Sequence, residues 1–153
     1  MKHIRKLAVL AIVAVLALTI LCSCGKAESY KYDSVSVEFP AIFGEDAGET
    51  NKALESMYDT MFKDTTLEIK SKTATLIIDD QRNEMKMKKD GDKYTLSGDY
   101  VARMEKMFTG AEFGEGVEVK IDLYLTKTDN GYDYVVEETV MGMAITVKLH
   151  YVK

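Results

Sequence analysis

The stretch VEVKIDLYLTK, residues 117–127, decides the fold. Val117, Val119, Ile121, Leu123 and Leu125 occupy every second position, with Glu118, Lys120, Asp122 and Tyr124 between them. Successive side chains of an extended strand point to opposite faces, so a period of two sets one face against a core and the other in water. Antiparallel sheets allow such one-sided burial, whereas parallel sheets are covered on both faces. The same alternation returns in Met143, Ile145, Val147, Leu149 and Tyr151, against Thr146, Lys148 and His150, and predicts a last strand over 143–152. Between the two lies a strand over 132–140, introduced by Asn130-Gly131, a pair suited to a type I′ hairpin turn because Gly accepts positive φ.

Upstream, the chain reads as a meander of shorter strands over 65–70, 73–79, 84–89 and 93–97. The cluster from Asp79 to Asn83 supplies a turn, and Asp90-Gly91 supplies a second hairpin signal. A first strand covers Val35 to Phe39 and ends at Pro40, which cannot donate to a ladder. The period then changes. Ala53, Leu54, Met57, Tyr58, Met61 and Phe62 recur every three to four residues, predicting one apolar stripe on a helix from about Ala47 to Lys63, with Asp46 and Glu49 spaced as a capping box. Val101, Met104, Met107 and Phe108 predict a short second helix, followed by an acidic loop with Gly110, Gly114 and Gly116. The fold class is α+β: an antiparallel meander of about eight strands with one main helix after the first strand and a short second helix. Such a meander either closes as a barrel or stays open as a curved sheet wrapped on its helix, in the manner of cystatins.

The chain begins with a segment of different character. Lys2, Arg5 and Lys6 precede an uncharged run of 15 residues, Leu7 to Leu21, too short for a spanning helix of about 20 residues. Leu21-Cys22-Ser23-Cys24 follows, and this order resembles the lipobox of bacterial lipoprotein signals: Leu, a variable residue, a small residue, then the Cys that is acylated and becomes the new N-terminus. The resemblance implies a signal peptide over 1–23, lipidation of Cys24, a tether to residue 34, and a single domain over 35–153. It also implies an extracytoplasmic protein held to a bacterial membrane by lipid on Cys24. Each buried methylene of an acyl chain contributes about 0.8 kcal/mol, and stable anchoring needs two or more chains. The remaining chain also resembles, in its lipidated start, the strand containing Val35 to Phe39 and its hairpins at Asp90-Gly91 and Asn130-Gly131, the small lipocalin-like domains of bacterial lipoproteins. It departs from true lipocalins in having no Trp.

Without residues 1–23, 130 residues remain, carrying 17 Lys and Arg against 25 Asp and Glu, a balance of −8. That charge argues against nucleic acid as a partner and against attraction of the whole chain to anionic lipid. Cys22 leaves with the signal, so no disulfide is expected. Catalytic motifs are absent: His150 is the only histidine after His3, it sits on the polar face of the last strand, and no Gly-x-Ser-x-Gly elbow exists. No enzyme activity, metal or cofactor is expected. The run from Asp129 to Asp133 offers oxygen ligands for Ca²⁺, but turn chemistry accounts for it. Eight methionines fall into four pairs, each spaced to share a face: Met57 with Met61, Met85 with Met87, Met104 with Met107, and Met141 with Met143. They read as core filling, as a soft pocket for a small apolar ligand lined by Met57, Met61, Met85, Met87, Tyr134 and Met143, or as thioethers for Cu(I). Period two would turn Glu138 inward, where a carboxylate needs a partner or a ligand; the expected arrangement is instead a bulge near Gly142 that resets the phase. The expected function is a lipid-anchored, non-catalytic binding module for a small apolar ligand; the alternative is an envelope protein that binds other proteins.

Overall fold

The computed structural model describes residues 25–38, 47–109, 119–140 and 142–153. The expected signal with Cys24, Phe39 and Pro40, Asp46 of the expected capping box, the expected acidic loop over 110–118, and Met141 lie outside the described residues. Eight strands follow one another: β1 (Glu28–Glu38), β2 (Thr66–Lys70), β3 (Thr73–Ile78), β4 (Gln81–Asp90), β5 (Lys93–Ser97), β6 (Val119–Lys127), β7 (Gly131–Val140) and β8 (Met143–Val152). Each is antiparallel to the next, and β8 returns to pair with β1, so the sheet closes as an up-and-down barrel, an architecture that lipocalins also use. Helix α1 (Ala47–Phe62) lies between β1 and β2, and α2 (Asp99–Thr109) between β5 and β6.

The alternation read from the sequence sets the inside of the barrel. Leu67 and Ile69 of β2, Ala74 and Leu76 of β3, Met85 and Met87 of β4, Leu123 and Leu125 of β6, Tyr132 and Tyr134 of β7, and Leu149 and Tyr151 of β8 are all buried. Each fully buried leucine contributes about 2 kcal/mol relative to exposure. Three tyrosines plug the hairpin end: Tyr132 meets Tyr30 edge-on with ring centroids 5.2 Å apart, and meets Tyr94 at 6.4 Å.

Two boundaries differ from expectation for local reasons. Strand β1 reaches back to Glu28, through residues expected to form a tether. A bulge between Tyr32 and Ser34 shifts the phase by one, so Tyr30 and Tyr32 before it and Val35 and Val37 after it all face inward; that break hides the period two. Strand β4 begins at Gln81 because only Asp79 and Asp80 form the turn, with φ of 47° and 63°. Two successive left-handed residues are the type I′ pattern, here built without glycine. At Gly91 φ is 59° with no positive φ at Asp92, the type II′ pattern. Neither Asn130 nor Gly131 has positive φ, so the expected type I′ turn is not what requires Gly131. Instead, a Cβ there would sit 1.9 Å from the Tyr151 carbonyl oxygen.

The barrel is closed evenly at its hairpin end and splayed at the other. Strands β1 and β2 pair over only four residue pairs, Glu28↔Ile69 to Lys31↔Thr66. Helix α1 covers the edge of β1 left free above them: Glu55 Oε1 accepts from the Val37 N–H at 3.2 Å, and Tyr32 donates its hydroxyl to Asp59 Oδ1 at 3.0 Å. Thr65 fixes the lower end of this helix, donating to the Phe62 carbonyl at 2.6 Å while its oxygen accepts from the Tyr151 hydroxyl at 2.7 Å. The expected six-residue stripe is divided. Leu54, Tyr58 and Phe62 pack on the core, while Met57 and Met61 are 47% and 59% exposed, because the helix meets the barrel along one narrow line.

Candidate functional site

The second splay, between β5 and β6, produces a cleft. These strands pair only through Lys93↔Thr126, Tyr94↔Leu125 and Thr95↔Tyr124, and beyond Thr95 they separate. Helix α2 enters the wedge, resting on β4, β5 and β6. It is amphipathic, with Val101 buried and Arg103 and Glu105 exposed; Ala102 N–H donates to the Gly98 carbonyl in its first turn. Gly98, at φ 134°, lets the chain leave β5 sharply enough to place the helix there.

Between helix and strands lies a cleft of about 230 Å³. Buried Leu96, Val101, Ile121 and Leu123 form its apolar lining. Leu96, Ile121 and Leu123 belong to the inward-facing rows of their strands, so the barrel core reaches the surface here. The rim is polar and ordered. Lys93 Nζ stands 4.0 Å from the centroid of the Tyr124 ring, and Tyr124 donates its hydroxyl to Glu137 Oε2 at 3.2 Å. An apolar lining with a few fixed polar groups at its edge is the chemistry of a small-molecule site.

Of the residues expected to line a pocket, Met85, Met87 and Tyr134 are buried on the inward face, and Met143 lies half-buried on the same face of β8. Met57 and Met61 are not brought to them and point outward from α1. Tyr134 is 1% exposed, and its hydroxyl has no hydrogen-bond partner among the described residues. Burial pushes that phenol well above its ordinary pKa. The residues lining the cleft carry no composition signal. They became a group only because two strands separate, which alternation cannot reveal.

Glu138 faces inward, contrary to the expected bulge near Gly142. The β7–β8 ladder runs without a break from Gly131↔Val152 to Val140↔Met143, so no bulge resets it. It stands between Ile121 and Ile145 with no ion pair or hydrogen bond among the described residues, and burial raises its pKa. His150 is not a free surface residue. On the outer wall its Nδ1 lies 2.7 Å from Asp133 Oδ1, and its Nε2 lies 3.2 Å from Ser36 Oγ, across three neighbouring strands. This is the order of a hydrolase relay, but Ser36 lies in the β1–β8 ladder and the next N–H, of Val37, is engaged by Glu55. Free donors for an oxyanion are thus missing beside Ser36 among the described residues. The loop from Thr128 to Gly131 is closed by Thr128 N–H donating to the Gly131 carbonyl at 3.0 Å, and Asp133 is turned to His150. Among the described residues no three His, Cys, Asp or Glu side chains are placed to hold a metal ion. No protein-family model, curated protein or solved structure matches the chain.

Proposed function

We propose that this protein is a lipid-anchored, extracytoplasmic binding module that takes a small, largely apolar ligand at the seam between β5 and β6, without catalysis. The observation that carries the reading is the cleft under α2, where inward-facing Leu96, Ile121 and Leu123 are reachable from outside. A ligand lying there keeps a polar group against Lys93 and Tyr124 and its apolar part on the core. The lipobox-like Leu21-Cys22-Ser23-Cys24 supports the anchor, and the closed barrel suits a lipocalin-like role. Native mass spectrometry of residues 25–153 from a bacterial host should find co-purified mass from an apolar molecule. A fluorescent fatty acid then serves as a defined probe. Val101→Trp, which fills the cleft, should weaken its binding about tenfold, the equivalent of ~1.4 kcal/mol. Unchanged probe affinity in that variant would remove the seam as the site.

A second reading has one observation in its favour. Met57 and Met61 expose a soft apolar strip on α1, the kind of surface that accommodates protein partners. A clean apo mass together with no probe binding would make an envelope interaction protein the better description.

A further inference from the structure

The two ends of the barrel carry opposite charge. At the hairpin end, residues 25–28, 70–73, 89–93, 127–131 and 152–153 hold seven Lys and four acidic residues, a side-chain balance of +3 in a chain whose balance after residue 23 is −8. At the other end, α1 with the two residues after it, the Asp79-Asp80 turn and α2 hold eight acids against four bases. Lys70, Lys72 and Lys89 are exposed and have no side-chain partner among the described residues. Lys153 and Glu28 make a long 3.4 Å contact. The excess positive charge at this end is therefore open to a partner.

The chain also enters the barrel here. Glu28 opens β1 at the hairpin end, and Cys24 precedes it by four residues, which span at most about 14 Å when fully extended. A lipid on Cys24 would hold the basic end at the headgroup surface. Because about 14 Å is the longest reach, the tether lets this end come within about one Debye length of lipid phosphates, where attraction is least screened.

We infer that the hairpin end is a docking face for anionic phospholipid headgroups, seating the barrel upright on the membrane with its helix-covered end directed away. The inference rests on the acyl anchor proposed above. It reverses the local conclusion that net charge gives, because screening makes the nearest charges count and the negative excess behind the −8 total is carried outside the hairpin end. Strands of ten residues tilted by about 40° rise roughly 25 Å, so upright seating lifts the helix end by about that distance.

The test uses the full acylated chain in vesicles, with a dye on Ala144→Cys near the helix end and an acceptor dye on lipid headgroups. Flotation with phosphatidylcholine vesicles reports the anchor alone, and a chain that does not float removes both the anchor and this proposal. When the chain floats, energy transfer should fall on replacing phosphatidylcholine with phosphatidylglycerol at low salt, and the fall should disappear at high salt. Each Lys near an anionic surface strengthens association about fivefold, so K70Q/K72Q/K89Q should lower the ratio of seated to free barrel about a hundredfold. Asp92→Asn should raise it. Equal transfer on both lipids in a chain that floats, or a phosphatidylglycerol effect that survives in the triple variant, would overturn the docking face and leave the anchor standing.

Discussion

Tyr134 and Tyr151, diagonal neighbours on β7 and β8, bury their rings equally well and differ in what their hydroxyls meet. Tyr151 donates to Thr65, which in turn ties α1 to β2; Tyr134 donates to nothing among the described residues. A buried hydroxyl without a partner costs about 1–3 kcal/mol, whereas a satisfied one contributes modestly. Tyr134→Phe should therefore leave the urea midpoint unchanged or raise it, while Thr65→Val should lower stability by about 2 kcal/mol by orphaning the buried Tyr151 hydroxyl; the Phe62 carbonyl keeps the Thr65 N–H at 2.9 Å. Loss of stability in Tyr134→Phe would mean that the phenol has a partner, such as an ordered water or a ligand. Gly131 is constrained differently. Its Cα hydrogen faces the Tyr151 carbonyl oxygen, so Gly131→Ala forces β7 and β8 apart and should cost about 3 kcal/mol or more, measured by denaturant unfolding.

Each helix fills the gap created by an early-ending strand pair, and each lies in the chain between the two strands it separates. The connection is therefore local: a strand that stops short leaves unpaired backbone, and the following helix covers it before the next strand begins. Glu55 accepting from Val37 N–H is that arrangement at a single bond. At the tight turns the limiting factor is backbone conformation. Asp79 and Asp80 both adopt left-handed φ, which costs a non-glycine residue about 1 kcal/mol. Asp80→Gly should stabilise the protein by about 0.5–1 kcal/mol, seen as a raised urea midpoint with unchanged slope. A destabilised Asp80→Gly would show that the carboxylate, not the turn, holds that position.

Across the whole molecule, the nine tyrosines of the sequence set the response to alkali. Burial raises the pKa of Tyr134, Tyr151 and Tyr132, and burial together with the Glu28 carboxylate pushes Tyr30 up to about 12. In the unfolded chain these phenols ionise near 10, so their contribution to stability is complete below pH 10 and is lost as pH rises toward the folded values. Unfolding followed by circular dichroism should begin above about pH 10, together with a cooperative rise in phenolate absorbance. Gradual phenolate formation in a still-folded barrel would contradict the burial of this cluster. Glu138 acts in the same direction at lower pH: its raised pKa favours the protonated form in the fold, so stability is greatest below its ordinary value of 4.5 and declines as pH rises through the folded one.

The sequence by itself determined the antiparallel class, six of the eight strands nearly to their ends, the main helix and the inward rows of β6 and β8, because period two and period 3.6 are properties of neighbouring residues. At Glu138 alternation alone was not enough: a bulge near Gly142 was the expected arrangement, and the unbroken β7–β8 ladder overturned it. Only the tertiary structure decided the rest. Closure depends on β8 finding β1 across the full length of the domain, and a bulge at one residue concealed the first seven residues of β1. The cleft, the exposure of Met57 and Met61, the grouping of Ser36 with His150 and Asp133, and the gathering of seven lysines at one end all arise between strands distant in sequence. Alternation specifies which face a side chain takes; the register and stagger of a closed barrel decide which side chains become its neighbours.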